Sequence, residues 1–525
     1  MKEKEFCLLE EPWIRVLRQD CTVEEVSLVD ALVRAHTFRA LAGELPTQDA
    51  AMLRMLLAVL YAVFARTREA GGAEPLADAD DALRRWQTLW EGGHFPEQPI
   101  RAYLEAYRER FYLFHPERPF WQAKAAEVGT YFKAAKLNGV IAESGNKYRL
   151  FAGRAGEAKE VLTYAEAARW LLHLNGYDDT SAKPKQKGLP SPGAGWLGKL
   201  GLVWAEGDNL FETLMLNFVM VDDNEELWDE NCPVWELDAP PEQERREIAL
   251  PQSQMQLLTL QSRRLLLQRD ARGVTGVTLL GGDFFDRKNA FSEQMTVWAH
   301  IDAKGKAADY WQPRRHDPQK QIWREFASIA SAEAPKGKPG VVRWRELLEY
   351  NGMLQRNLLV RLRIAGVKYG DKDFFIKDIF SDSIQFHTAL LAEIGREWNR
   401  RVQAEVALAD RAAGIVAQLG RNLDSANGHA NGALADFAKM QFYYRIDIPF
   451  RRFLEKIDPQ ADYEGKAVWR EEWREAERRI ALALGEELIG ETLPTAFLGR
   501  EQDGRRYSLP EAYNQFQYQI KQLLG

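Results

Sequence analysis

Apolar positions along this chain change period several times, and each change predicts a different element. Through the first 220 residues they mostly recur every three or four positions, the spacing of helices with one buried face. Asp80 to Trp90, Pro99 to Arg110, Thr163 to Leu174 and Asp208 to Val221 read this way, the last after a cap-like Gly207-Asp208. Ala50 to Ala65 is apolar on all sides, with Thr47 placed as an N-cap, so a buried helix is predicted there. Ahead of it, Phe6 to Leu9, Ile14 to Val16 and Glu24 to Leu28 are short apolar pieces separated by Pro12, Gln19 and Asp20, the pattern of a small strand meander.

Further along, Lys183 to Lys199 holds four lysines, three prolines and four glycines with no acid, which is loop composition. Residues 222–256 are acidic and interrupted by proline, and Val274 to Arg315 mixes short β-rich pieces with turns, an irregular β region. From Leu358 the period becomes two: Leu358, Val360, Leu362 and Ile364 alternate with Arg361 and Arg363. A turn at Tyr369 to Asp373 and a second apolar run, Phe374 to Phe380, complete a predicted hairpin with Lys368 and Lys372 at its tip. Past Gln385 the helical period returns in four segments: one reaching Leu419, then Ala430 to Ile457 (bent or broken near Pro449), Gly465 to Ile489 and Pro510 to Leu524. The predicted fold is α+β: a helix-rich N-terminal domain over 1–384 with irregular β-sheet and a hairpin, and a C-terminal four-helix bundle over 385–525.

Composition narrows the function. With 70 Lys plus Arg against 77 Asp plus Glu, the net charge of -7 excludes a surface that is basic throughout, while local basic patches stay open. The three cysteines, Cys7, Cys21 and Cys232, form no CxxC pair, which excludes a disulfide framework and a thiolate zinc site and predicts a reducing, cytoplasmic setting. The apolar run at 50–65 carries Arg54 and is shorter than a bilayer span, and the charged start MKEKEF lacks the apolar core of a secretory signal. No membrane association is predicted.

Catalytic constellations are not read from the motifs. Gly193 to Lys199 has the spacing of a nucleotide-binding glycine loop, yet a Pro/Lys loop precedes it, Leu200 stands where a magnesium-binding Ser or Thr belongs, and Leu200 to Trp204 reads as strand. The eight histidines show no metal-ligand spacing, and His115 reads as a packed or capping side chain. The pairs Asp178-Asp179 and Asp222-Asp223 read as solvated loop carboxylates, and Trp398, Trp469 and Trp473 as core of the bundle. Basic clusters are stronger candidates for phosphate contact: Lys183/Lys185/Lys187/Lys199, Arg287/Lys288, Arg314/Arg315, and Lys368 with Lys372.

Several motifs recur in this order in one family: Leu8 to Ile14 (LLEEPWI), Leu41 to Asp49 (LAGELPTQD), Pro119 to Gln122 (PFWQ), Gly207 to Thr213 (GDNLFET), Pro233 to Glu236 (PVWE) and Leu260 to Arg264 (LQSRR). From end to end the chain resembles the CasA family, the large subunit of the type I-E CRISPR surveillance complex Cascade, an antiviral defence assembly. The resemblance implies a non-enzymatic subunit without cofactor that checks duplex DNA for the protospacer-adjacent motif, promotes duplex opening and R-loop formation, and recruits a helicase-nuclease. Implied partners are the crRNA, the backbone, small and crRNA 5′-end subunits, and target double-stranded DNA. Base pairing would then read the remaining sequence, a division of labour known from another RNA-guided effector.

Carried over residue by residue, the family's glycine-containing loop falls on Lys183 to Gly188, where Gly188 is the sole glycine beside Lys183, Lys185 and Lys187. Either a close backbone approach or a lysine–phosphate contact would suit that segment. The hairpin wedge falls on Lys372, Asp373 and Phe374; either Asp373 accepts from a base donor, or Lys372 and Phe374 do the wedging. The family's minor-groove lysine falls on the Arg287-Lys288 turn, with Lys288 favoured. A loop touching the crRNA end falls near Ser144 to Gly153, with Phe151 as its aromatic contact. Some relatives carry a cysteine pair able to bind zinc in mid-chain; only Cys232 lies in that half here, so no metal is expected. Two other readings stay open: an assembly scaffold that does not read the motif, and a nucleotide-binding enzyme using the 193–199 loop.

Overall fold

A computed structural model of the chain describes residues 4–68, 71–143, 147–148, 152–180, 193–239, 241–302, 308–330, 337–354, 359–392, 395–429, 432–459, 461–502 and 505–525. It divides into two units: Met1–Lys320 with Lys336–Leu354 and Leu362–Ser383, and Gln321–Pro335 with Gln355–Arg361 and Ile384–Gly525.

The first unit is built round the helix Pro46–Phe64, which packs against Tyr164–Tyr177, Gln254–Leu258, Glu97–Ala106 and Leu210–Asn217. By length and apolarity it could cross a membrane, yet 94% of its apolar window is buried inside the protein. Each fully buried Leu, Val, Met or Phe contributes about 1.5–3 kcal/mol. The single charge among them, Arg54, is neutralised by two bonds to Glu293, at 2.7 and 2.9 Å. The helix starts earlier than the Thr47 cap predicts. Pro46, with its fixed φ and no N–H, occupies the first turn, so extended Leu45 becomes the N-cap. Thr47 instead meets His173 across the core at 3.0 Å. Gln48 and Asp49 reach back to accept from the backbone N–H groups of Glu44 and Gly43, at 3.0 and 2.6 Å.

Other helix ends show similar local causes. Thr163 and Glu166 form a capping box at the start of Tyr164–Tyr177. Asn209, rather than Asp208, caps Leu210–Asn217. That helix stops short of Val221 because the Asn217 amide bonds the carbonyl and N–H of Ala205, at 2.7 and 3.0 Å, closing the helix against the neighbouring strand. The predicted meander is only half right: Val23–Val26, Ile14–Arg18 and Phe38–Leu41 form a sheet in that order, but Glu5–Cys7 pairs with Tyr112–Phe114. Glu10 and Glu11 both donate to the Cys7 carbonyl, a tight turn that takes the chain out of that sheet. A second sheet joins Arg263–Asp270, Gly273–Gly281 and Thr130–Lys133. A third joins Ile376–His387, Leu359–Tyr369 and Leu202–Glu206.

In the second unit the long helices are Arg396–Asn427, Ala433–Lys456, Tyr463–Gly490 and Leu509–Leu524, with the short helix Thr495–Leu498 and the hairpin Arg500–Gln502/Arg505–Tyr507 between the last two. Ala433–Lys456 runs through Pro449 without breaking. An interior proline costs about 3 kcal/mol; here Phe450 beside it stacks on Trp323 at 4.2 Å and meets Trp473 edge-on at 5.0 Å, which holds the helix in place. Trp323 also donates to Asp447 at 2.8 Å, so residues 321–330 belong to this core. Trp398 and Trp473 are buried and Trp469 is half-buried. One face of Ala433–Lys456 is left exposed, with Phe437, Met440, Tyr444 and Ile448 in a row along it.

Candidate nucleic-acid interface

The hairpin tip is held in a conformation that its residues do not favour on their own. Between the strands Leu359–Tyr369 and Ile376–His387, Gly370 N–H donates to the Phe375 carbonyl at 2.9 Å, closing the loop. Lys372, Asp373 and Phe375 all have positive φ, at 54°, 57° and 85°. Each such non-glycine residue costs about 1–2 kcal/mol, so the surroundings must impose the shape.

Three sets of contacts do so. Arg315 grips the Asp373 carboxylate with two parallel bonds at 2.7 and 2.8 Å, and its Nε donates to the Gly198 carbonyl at 2.6 Å. The guanidinium also lies over the Tyr369 ring at 4.8 Å, and the Tyr369 hydroxyl donates to the Tyr177 carbonyl at 2.6 Å. Thr180 donates through its backbone to the Asp373 carbonyl at 3.1 Å and through its hydroxyl to the Lys372 carbonyl at 3.2 Å. The outcome is a tip that exposes Lys372 and Phe374, the latter 44% accessible, while the Asp373 carboxylate is turned inward to Arg315.

The glycine run packs tightly against this tip. A Cβ at Gly195 would strike the Gly176 carbonyl, and one at Gly198 the Tyr369 hydroxyl, so both glycines permit close approach. The run passes through a short 3-10 turn, Leu197–Lys199, into the strand Leu202–Glu206, where a nucleotide-binding loop would lead into a helix. Asp178, Asp179 and Asp223 are not the solvated carboxylates that their loop setting predicts, whereas Asp222 only accepts from the N–H groups of Asn224 and Glu226 in its own turn. Asp178 receives Arg263 Nε at 2.6 Å, Asp179 receives Lys136 at 2.7 Å, and Asp223 pairs with Arg343 at 2.6 Å. The basic residues that neutralise them come from distant parts of the sequence. His115 acts as a cap, its Nδ1 accepting from the N–H groups of Glu117 and Arg118 at 3.1 and 2.9 Å. Among the described residues no group of three His, Cys, Asp or Glu side chains could hold a metal.

Lys372, Asp373 and Phe374 therefore come together at the tip, with Lys368 exposed on the strand leading to it. Arg287 is exposed and close enough to Lys199 to repel it. Lys288 is exposed too, over the Tyr310 ring at 5.2 Å and 3.6 Å from Asp286. Lys183, Lys185, Lys187, Gly188 and Phe151 lie outside the described residues. Thr180, which precedes the lysine segment, and Arg315, read from the sequence only as part of a basic turn, prove to be the anchors of the tip.

The family model for CRISPR-associated protein Cse1 matches residues 8–484 of this chain. The chain belongs to the Cse1 family. A curated relative from Thermus thermophilus, a CRISPR-associated protein CasA/Cse1, is 31% identical over 340 residues; the match covers 63% of this chain and spans 62% of the relative's length. The crystal structure of Thermobifida fusca Cse1 superimposes with a TM-score of 0.82 at 29% identity, covering 99% of this chain and 98% of that one. A chain of a solved CRISPR RNA-guided surveillance complex matches in fold, with a TM-score of 0.71 at 18% identity, over 99% of this chain and 100% of that one. The CasA resemblance and the α+β fold read from the sequence both hold.

Proposed function

We propose that this Cse1-family protein is the non-catalytic large subunit of a cytoplasmic RNA-guided surveillance complex, and that its hairpin tip tests the flank of a DNA target for the protospacer-adjacent motif. The observation that carries this reading is the tip itself. A side chain that must enter a groove or part a base step has to be held rigidly and left uncovered. Lys372 and Phe374 meet both conditions, on backbone fixed by Arg315, Tyr369 and Thr180. Between the two wedging alternatives the geometry favours Lys372 and Phe374: the Asp373 carboxylate already has two charge-assisted bonds and acts as a positioning group. A net charge of -7 accords with weak duplex binding alone and strong binding only within the assembly, beside the crRNA and the other subunits. Once the flank is accepted, pairing by the guide reads the rest, and a helicase-nuclease docks on this subunit to degrade the target.

The second unit supports assembly. Phe437, Met440, Tyr444 and Ile448 form an exposed apolar row on one helix face, the kind of patch that marks a protein interface; it suits the neighbouring small subunit. The decisive experiment measures target binding by the reconstituted guide complex on duplexes with a fixed complementary segment and a randomised flanking trinucleotide. Flank-dependent enrichment should require this subunit and vanish with Lys372→Ala/Phe374→Ala while complex composition stays unchanged. Enrichment that ignores the hairpin variant would favour a scaffold role.

A further inference from the structure

The turn that carries Arg287 and Lys288 is held to a sheet edge by one residue. Trp298–Ile301 and Tyr310–Pro313 pair antiparallel, with Trp311 opposite His300. The backbone groups of Trp311 go to the other side: its carbonyl accepts from the Asn289 N–H at 2.7 Å, and its N–H donates to the Asn289 side-chain oxygen at 2.8 Å. Asn289 thus closes an edge that would otherwise stand open. It does so from a left-handed backbone, at φ 51°, a conformation that asparagine tolerates better than most residues with a side chain. Its own carbonyl accepts from the Phe291 N–H at 2.8 Å, and the Asp286 carboxylate accepts from the Lys288 N–H at 3.0 Å. The backbone on both sides of Lys288 is therefore fixed.

The Lys288 side chain is directed as well. Its ammonium lies over the Tyr310 ring, 5.2 Å from the centroid, and 3.6 Å from Asp286, yet the side chain keeps 54% of its surface open to solvent. An exposed cation–π contact favours the held rotamer about two- to fivefold, so the lysine is aimed while staying available. Arg287, its neighbour on the turn, makes no hydrogen bond or ion pair among the described residues. One turn thus presents one oriented cation and one that is not. Closing the sheet edge does not explain the aim, because Asn289 would close it whatever residue came before. The strand that holds Tyr310 runs on to Arg315, which grips the hairpin tip. Those five residues span at most about 18 Å, a length that one duplex covers in about five base pairs. We infer that Asn289 and Tyr310 are positioning residues that hold Lys288 ready for the DNA flank tested by the hairpin. The inference rests on the motif-reading function proposed above and adds to it the residues that aim a second contact. Ordering a free lysine on binding weakens a contact about two- to tenfold, and the clamp removes that cost in advance.

The test measures target affinity of the reconstituted complex on a permissive flank with Lys288→Ala, Asn289→Gly, Tyr310→Leu or Tyr310→Phe, and repeats Asn289→Gly and Tyr310→Leu in the Lys288→Ala background. Glycine accepts the left-handed φ but lacks the side-chain oxygen, and phenylalanine keeps the ring beneath the ammonium. Asn289→Gly and Tyr310→Leu should each weaken binding about two- to tenfold. Tyr310→Phe should bind like wild type, and neither loss should recur once Lys288 is alanine. Losses that persist undiminished in the Lys288→Ala background would make both residues merely structural and overturn the inference, as would Lys288→Ala binding like wild type. Unchanged affinity for Asn289→Gly and Tyr310→Leu in complexes of normal composition would overturn it too. Absence of any flank preference in the wild-type complex would instead sink the motif-reading function, while the dependence of the two losses on Lys288 would still decide the positioning role.

Discussion

Asp373→Asn separates a positioning carboxylate from one that touches DNA. In the native tip Asp373 and Arg315 are each about one-third exposed, at 31% and 33%, and their paired bonds at 2.7 and 2.8 Å are worth about 1 kcal/mol after solvent screening. Asparagine tolerates the left-handed φ of 57°, so the substitution removes charge without adding strain. Two effects follow with opposite signs. The substitution removes one negative charge beside Arg315, and Arg315 is released from its carboxylate to meet phosphate. Non-specific duplex binding should therefore rise about fivefold at 0.15 M salt, with the salt slope steeper by about 0.9. The tip, less firmly held by about 1 kcal/mol, should lose roughly fivefold in discrimination between permissive and non-permissive flanks. Fluorescence anisotropy on the reconstituted complex reads both, and a double-mutant cycle with Arg315→Gln should give a coupling near 1 kcal/mol in flank discrimination. Non-specific binding that falls or stays level, or additive effects of the two substitutions, would mean that the carboxylate acts on the duplex directly.

Three further predictions test the packing of the two units. Gly198→Ala places a methyl against the Tyr369 hydroxyl, so it should destabilise the first unit by about 1–3 kcal/mol in thermal melts and abolish flank preference without blocking assembly. Arg54→Met leaves Glu293 buried without its guanidinium, with bonds from Trp196 and Met295 remaining among the described residues, and should cost about 3–5 kcal/mol by denaturant unfolding; adding Glu293→Leu should recover most of it. In the second unit, burial and the nearby Glu405 charge push the Glu477 carboxyl up to about 8, and among the described residues neither of its oxygens has a partner. The folded state thus holds a proton there that the unfolded chain releases near pH 4.5, so its stability falls as pH rises from about 4.5 through 8. Glu477→Gln should raise the helical melting temperature relative to wild type at pH 8 and hardly change it at pH 5; equal shifts at both would refute the protonated carboxyl.

The residues that reveal the family are not those at the candidate site, and physics explains the separation. Every motif that carries the resemblance turns out to be a structural device. Trp13 of LLEEPWI donates to the Leu8 carbonyl; Gln48 and Asp49 of LAGELPTQD close a helix start; Gln122 of PFWQ bridges the Leu113 carbonyl and the Leu267 N–H. Glu236 of PVWE holds Arg66, and the arginines of LQSRR neutralise Asp178 and Asp283. Such devices need particular atoms at particular spacings, so they stay legible in a linear sequence, as do the helical periods of the four long helices. The site was less legible because its order is non-local. Asp373 meets Arg315 across 58 positions and Lys372 meets Thr180 across 192, separations that no periodicity encodes. Sequence alone could place lysines near a hairpin, but not decide which cation already had an anion. That decision matters most: of the basic side chains near the hairpin, the one that grips Asp373, Arg315, is the one that shapes the tip.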